Sequence, residues 1–322
     1  NDPQKIVYTY SNEIESVFND TIESIKALSY SRYKPLTYLI DIPKDVKSLL
    51  TSQRNMSGFM KSILVKRLES SFYAFKKTLD RFILSYEKFL EMCLKGDIYI
   101  SKKFDVYDLL EYGDDEHLMD LIENDSIQHY PIHAFNKNFI VDIKNDLNIL
   151  IELKNKWNHI NDDPKKNQFL LELSNNTQLL NKKIIIFTES KETADYVAKY
   201  LNDYYPGSVL AFSGISSQSI RQDIEANFNP DYAYEKKDDI RFLVTTDVLA
   251  EGINLHRSSV IVNYDLPWNP TKIMQRVGRI NRVGTEFDRI FVFNFFPSSQ
   301  ANAHLSLEQN IISKLQSFYN TL

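Results

Sequence analysis

The chain is poor in the residues that would place it in a secreted or membrane class. One cysteine, Cys93, among 322 residues cannot form an internal disulfide, so a reducing, cytoplasmic setting is expected. No apolar run approaches the roughly 18 residues of a membrane-spanning helix, so no membrane partner is expected. The N-terminus lacks the basic-then-apolar order of a secretory signal. Charge of one sign is also scarce. The 38 Lys and Arg against 43 Asp and Glu give a formal net charge of −5, which excludes binding of nucleic acid by bulk positive charge. That balance still leaves room for basic residues gathered in one groove. Glycine is the most informative shortage. Only three of eight, Gly58, Gly96 and Gly113, lie in the first 200 residues, and the other five lie between Gly207 and Gly284. Glycine marks sharp turns and close approach to ligands, so the first half reads as scaffold and the later half as the seat of chemistry.

What is present is ordinary for a globular chain: 43% hydrophobic and 25% charged residues, at a length that suggests about two domains. The chain opens on Asn1 rather than Met, and a piece of a longer protein is expected. Asn12 to Leu28 carries Ile14, Val17, Phe18, Ile22 and Ile25 near a 3.6 period, which predicts a helix. Ser31 to Val46, broken by Pro35 and Pro43, is expected to be irregular. Met56 to Leu94 has no proline, and its apolar spacing predicts one long helix or two stacked ones. Asp105 to Glu123 reads as short helices around a solvated acidic stretch, Asp114-Asp115-Glu116. Phe139 to Trp157 is another amphipathic run. Asp163-Pro164 then supplies a helix start, an N-cap acid before a proline at the first helical position.

From Lys182 the period changes. Lys183–Thr188, Ser208–Ser213, Ile240–Thr245, Ser258–Tyr264 and Arg289–Phe295 read as strands. Ser190–Tyr204, Ser216–Phe228, Pro270–Ile280 and Leu305–Phe318 read as helices, and Asn229–Asp239 as a solvated loop. This alternation predicts a parallel sheet with helices on both faces, preceded by a mainly helical region. The expected division is residues 1–160 and 161–322.

Ligands of open α/β sheets bind at the carboxyl ends of the strands. Here those ends carry Thr188-Glu189-Ser190, Ser213-Gly214, Thr245-Thr246-Asp247 with Glu251-Gly252-Ile253-Asn254, and Asp265 to Pro270. The next helix carries Gln275, Arg279 and Arg282 at helical spacings that share a face. Two arginines there suit a polyphosphate, whose oxygens the guanidinium fork binds bidentately. Surface arginines paired with Glu286 or Asp288 would have the same spacing.

Five segments occur in order: KIIIFTES (Lys183–Ser190), the Gly214…Gln218…Arg221…Phe228 series, TTDVLAEGINL (Thr245–Leu255), DLPWNP (Asp265–Pro270) and QRVGRINRVG (Gln275–Gly284). This succession resembles the second RecA-like lobe of superfamily 2 helicases and translocases, over residues 160–300. The W-N-P element and the arginine spacing resemble the Swi/Snf-like branch, especially its bacterial members, and KRLESSFYAF (Lys66–Phe75) resembles its helical lead-in.

The resemblance implies roles. Arg279 and Arg282 fall on the paired catalytic arginines, Arg282 on the arginine finger. Gln275, Gly252 and Asn254 fall on nucleotide-binding positions, Asn254 replacing a common Asp. Thr188, Gly214, Gln218, Arg221 and Thr246 fall where the lobe holds a nucleic-acid backbone, contacts that position without reading sequence. Glu251 and Asn281 depart from the frequent residues of their motifs, at positions beside the strand-binding surface. A complete enzyme of this class also has a phosphate loop, G-x-x-x-x-G-K-[ST], and this chain has no such string. The resemblance therefore implies half of an ATP site, inactive alone. A missing N-terminal lobe would bind most of the ATP and magnesium, and duplex DNA is the expected nucleic-acid partner. Two other readings stay open: a non-catalytic interaction module with a protein partner on its helical half, and a DEAD-box-like RNA helicase lobe.

Remaining features have plain readings. His129 and His133, with Pro131 between them and no nearby cysteine, do not suggest zinc. Cys93 belongs to a helix core. No G-x-S-x-G elbow is present. Trp268 is expected to pack, the alternative being a surface touching DNA. Lys61, Lys66, Arg67, Lys76, Lys77 and Arg81 are expected to form a wet helix face, the alternative being phosphate contact.

Overall fold

A computed structural model of the chain describes residues 3–42, 47–101, 127–213, 218–247, 253–267, 270–280 and 287–297. In chain order come β1 (Gln4–Tyr8), α1 (Asn12–Ala27), 3-10 turns at Ser31–Tyr33 and Pro35–Tyr38, α2 (Lys47–Ser70), α3 (Phe72–Lys95), β2 (Asp97–Ser101) and β3 (Ile127–Pro131). Then follow α4 (Asn138–Asn158), α5 (Pro164–Asn175), β4 (Ile184–Thr188), α6 (Lys191–Tyr204), β5 (Val209–Phe212) and α7 (Gln218–Phe228). The last are β6 (Phe242–Thr246), β7 (Val260–Asn263), α8 (Pro270–Gly278) and β8 (Phe291–Pro297). Two compact units result: Asn1–Glu15 with Asp162–Leu322, and Ser16–Asn161.

The second unit is helical. Its apolar stretch from Met56 forms two helices because Ser71 leaves helical geometry, at φ −160° and ψ 152°, and caps α3 by accepting from Ala74 N. Gly96 ends α3 at φ 97°, a left-handed conformation that costs glycine nothing. Phe72 and Phe75 pack on Trp157, whose indole donates to Thr21 Oγ1 at 2.8 Å. Cys93 is buried, which pushes its thiol up to about 11 and leaves it protonated and inert. The basic cluster is not one wet face. Arg67 is buried and Lys76 donates to Ile160 O at 2.7 Å; of the six cations Lys77 is exposed and Lys61, Lys66, Lys76 and Arg81 are half-buried. Long aliphatic stems let these residues lie inward.

Asp146 is the polar anchor of this unit. At 1% exposure it accepts from Ser29 N (2.7 Å), Ser31 N (2.9 Å), Ser31 Oγ (2.8 Å) and Tyr86 OH (3.0 Å). Burial, reinforced by the Asp146 charge, pushes the Tyr86 phenol well above its ordinary range, so it remains a donor. Asp146→Ala leaves those donors buried without their acceptor and is expected to cost about 3 kcal/mol or more in a denaturant titration. A loss below about 1 kcal/mol would show that water replaces the carboxylate there.

The first unit is a six-stranded sheet, in which the neighbours β1, β8, β7, β4, β6 and β5 all run parallel. β4, β6 and β7 are buried on both faces, the expected fate of short β-branched runs in a parallel sheet. Alternate residues serve opposite cores. Ile184, Ile186, Phe242, Val244, Val260 and Val262 face Phe169, Leu173, Val197 and Leu201 of α5 and α6. Ile185, Phe187, Leu243 and Ile261 face Ile224 and Phe228 of α7, with Ile280. This is a RecA-like α/β lobe.

β1 went unread in the sequence. Residues 1–160 were expected to be helical scaffold, yet Gln4–Tyr8 pairs with β8, burying Ile6 and Tyr8 and exposing Val7. A five-residue alternation is too short to declare itself without its partner strand. The antiparallel pair β2–β3 was missed for the same reason. The expected helices in Asp105–Glu123 and Leu305–Phe318, and the Asp114-Asp115-Glu116 stretch, lie outside the described residues.

Candidate functional site

Strand order locates the site. From β4 the chain leads to β5 on one side of the sheet, and from β7 to β8 on the other. The carboxyl ends of adjacent β4 and β7 therefore border a topological switch point, where open α/β sheets bind ligands. Glu189 follows β4 there, and its backbone N–H donates to Asp265 Oδ2, after β7, at 2.9 Å.

Arg276 of α8 is the centre of this region. It is fully buried, on the inward stripe with Ile273 and Ile280. Its Nε and Nη2 donate to the two carboxylate oxygens of Asp247 at 2.6 and 3.0 Å. Its Nη1 donates to Asn263 Oδ1 (2.9 Å) and Asp265 O (3.0 Å), and the guanidinium lies over the Phe187 ring at 5.0 Å. One side chain thus joins the ends of β4, β6 and β7. Asn263 is held in turn, donating through Nδ2 to Asn294 Oδ1 of β8 at 2.7 Å. Burial works against the Asp247 charge. The Arg276 guanidinium, by charge and hydrogen bonds, and Lys272 at 3.3 Å outweigh it and hold the carboxyl below its usual range. Asp265 makes a second buried pair, accepting from Lys165 Nζ of α5 at 2.9 Å.

The residues singled out from sequence fall around this clamp. Gln275 is exposed on α8. Arg279 is half-buried in a tight turn after the helix, its N–H donating to Arg276 O at 3.1 Å. Thr188 is buried with its hydroxyl donating to Ser190 O at 3.0 Å, and Thr246 is buried at the end of β6. Gln218 and Arg221 are exposed on α7, with Arg221 over the Phe212 ring at 5.5 Å. Asn254 is half-buried, its Nδ2 3.4 Å from Asp231 Oδ2 and its Oδ1 accepting from His256 N at 3.1 Å. Gly214, Gly252 and Arg282, with Glu251, Trp268 and Asn281, lie outside the described residues.

Sequence reasoning placed Asp247 and Asp265 at strand ends but missed Arg276 and Lys165, the cations that pair with them. Arg276 had a signal: it is a charged residue in line with Ile273 and Ile280, on the helix face that packs inward. Asp247 and Asp265 at these strand ends are paired with cations. Among the described residues no three His, Cys, Asp or Glu side chains gather as a metal-binding set.

The model of the helicase conserved C-terminal domain matches residues 165–284. The uncharacterized ATP-dependent helicase YqhH of Bacillus subtilis (strain 168) is 32% identical over 126 residues, 39% of this chain and 21% of that protein. Eukaryotic initiation factor 4A-9 of Nicotiana tabacum is 29% identical over 138 residues, 43% of this chain and 29% of that protein. The chain thus matches less than a third of the length of these relatives. Among solved structures, the C-terminal part of the Fun30 ATPase domain aligns at TM-score 0.45 and 15% identity, over 97% of this chain and 90% of that one. The C-terminal domain of the DEAD-box protein Dbp5 aligns at TM-score 0.36 and 26% identity, over 49% and 80%. Ordered motifs, a two-sided parallel sheet and this domain match agree: residues 165–284 match the helicase conserved C-terminal domain and fold as a RecA-like lobe, similar to the second lobe of superfamily 2 helicases.

Proposed function

We propose that this chain supplies the second half of an ATP site in a DNA translocase of the Swi/Snf-like kind. A first lobe carrying the phosphate loop would complete the site and hold most of the ATP and magnesium. Arg279 and Arg282 are the catalytic arginines, which reach the terminal phosphates when the lobes close and stabilise charge in phosphoryl transfer. Gln275, Gly252 and Asn254 border the nucleotide. Gly214, Gln218, Arg221 and Thr246 hold the backbone of one strand of duplex DNA; Thr188, buried with its hydroxyl given to Ser190 O, supports that surface from beneath rather than touching the strand. The helical unit is available to a protein partner. The observation that carries the reading is the Arg276 clamp. Three of its four hydrogen bonds reach side chains at strand ends, so the turn bearing Arg279 starts from a fixed point at the switch point. Such preorganisation suits a residue that must meet a phosphate in one geometry.

A second reading has its own support. Curated relatives at 28 to 31% identity include proteins named as ATP-dependent RNA helicases. The test is ATP turnover by the full-length protein with duplex DNA, with single-stranded RNA and with neither. Stimulation by duplex DNA is expected, and this chain alone is expected to hydrolyse no ATP. Stimulation by RNA only would favour the DEAD-box-like reading. Turnover indifferent to both would reject the two together and favour an interaction module.

A further inference from the structure

Lys165 stands at a defined place. Asp163 caps α5 by accepting from Lys166 N at 3.0 Å, and Pro164 sets the backbone at the first helical position. Lys165 then turns inward to 6% exposure, with Nζ 2.9 Å from Asp265 Oδ1 and 4.3 Å from the Tyr264 ring centre. Asp265, also 6% exposed, has two further engagements: Oδ2 accepts from Glu189 N at 2.9 Å, and its carbonyl accepts from Arg276 Nη1 at 3.0 Å. The residue that binds Lys165 therefore also binds the loop after β4 and the arginine of α8.

A buried ion pair is a weak source of stability, because desolvation offsets the attraction and apolar side chains fill the same volume as well. What apolar packing does not supply is direction. The ammonium fixes the Asp265 carboxylate in one orientation. That orientation presents Oδ2 to Glu189 and sets the backbone whose carbonyl holds Arg276. We propose that Lys165 is a positioning residue: through Asp265 it sets where Arg276, and with it the turn bearing Arg279, stands at the strand ends. The placement follows from the geometry alone; its consequence for ATP turnover rests on the function proposed above.

The test uses the full-length protein with Lys165→Met and with Lys165→Met/Asp265→Asn. The double variant avoids leaving a buried carboxylate facing an apolar side chain, and its asparagine still offers an acceptor to Glu189. In both, backbone amides of residues 271–280 and of Glu189 are expected to exchange with solvent about tenfold faster, while those of α6 keep their protection. Nucleic-acid-stimulated kcat is expected to fall about tenfold with KM for ATP held within about twofold. Unchanged exchange over residues 271–280 in the double variant overturns the proposal. So does an equal loss of protection in α6, which would mark Lys165 as a general stabiliser. Arg279→Ala, measured in parallel, separates the two readings. If it turns over like the parent while the exchange response appears as expected, the positioning stands and the catalytic role of Arg279 falls.

Discussion

Arg279→Ala in the full-length protein is expected to lower nucleic-acid-stimulated ATP turnover by about a thousandfold, with nucleic-acid affinity almost unchanged. Arg282→Ala is expected to do the same. The reason is where charge develops. The terminal phosphoryl group spreads negative charge over its oxygens as it transfers, and an arginine placed there acts in the transition state more than in the ground state. Arg279 follows the buried Arg276 in a turn held by its own backbone bond, so its start is fixed while its side chain keeps a partly open position. Lysine should not substitute, because a point charge lacks the planar fork. Steady-state turnover against ATP concentration, with a parallel binding titration, checks this. Turnover within about threefold of the parent in Arg279→Ala would remove the residue from the chemistry.

Arg276→Met should act on folding before it acts on rate. The methionine fills much of the volume but leaves Asp247 without its bidentate partner, and losing one member of a buried pair typically costs about 3–5 kcal/mol. The sheet unit is expected to unfold at correspondingly lower denaturant. The effect is pH-dependent in a stated direction. Asp247 is held below its ordinary value in the folded protein, so the pair contributes in full above about pH 4 and loses its contribution as pH falls through the depressed folded value. The stability gap between parent and variant should therefore be widest near neutrality and narrow in acid. A gap that stays constant from neutrality into acid would mean that the Asp247 charge is not what Arg276 holds.

Much of this lobe is legible because its signals are local. β4, β6 and β7 were found within two residues of their ends, since a short run of Ile, Val and Phe is what a strand buried on both faces requires. Asp163-Pro164 marked the start of α5 because a cap and a fixed φ act over one turn. The α2–α3 break was half legible: the apolar spacing allowed one helix or two, and Ser71 decided it by leaving helical geometry. The order of motifs put Gln275 and Arg279 on the helix after β7; the structure has Gln275 on α8 and Arg279 in the turn just beyond it.

Taken alone, the sequence determined the period change near residue 182, the alternation of strands and helices after it, and the residue types at the strand ends. Those follow from interactions reaching no further than a turn or a pleat. The tertiary structure alone decided that β1 closes one edge of the sheet, that Arg276 rather than its exposed neighbour Gln275 is the buried anchor, and that Lys165 meets Asp265 across a separation of 100 residues. A charged side chain has the same identity in a surface loop as in a sealed pair. Which it becomes depends on what the fold brings opposite it, and on whether that partner repays the loss of water.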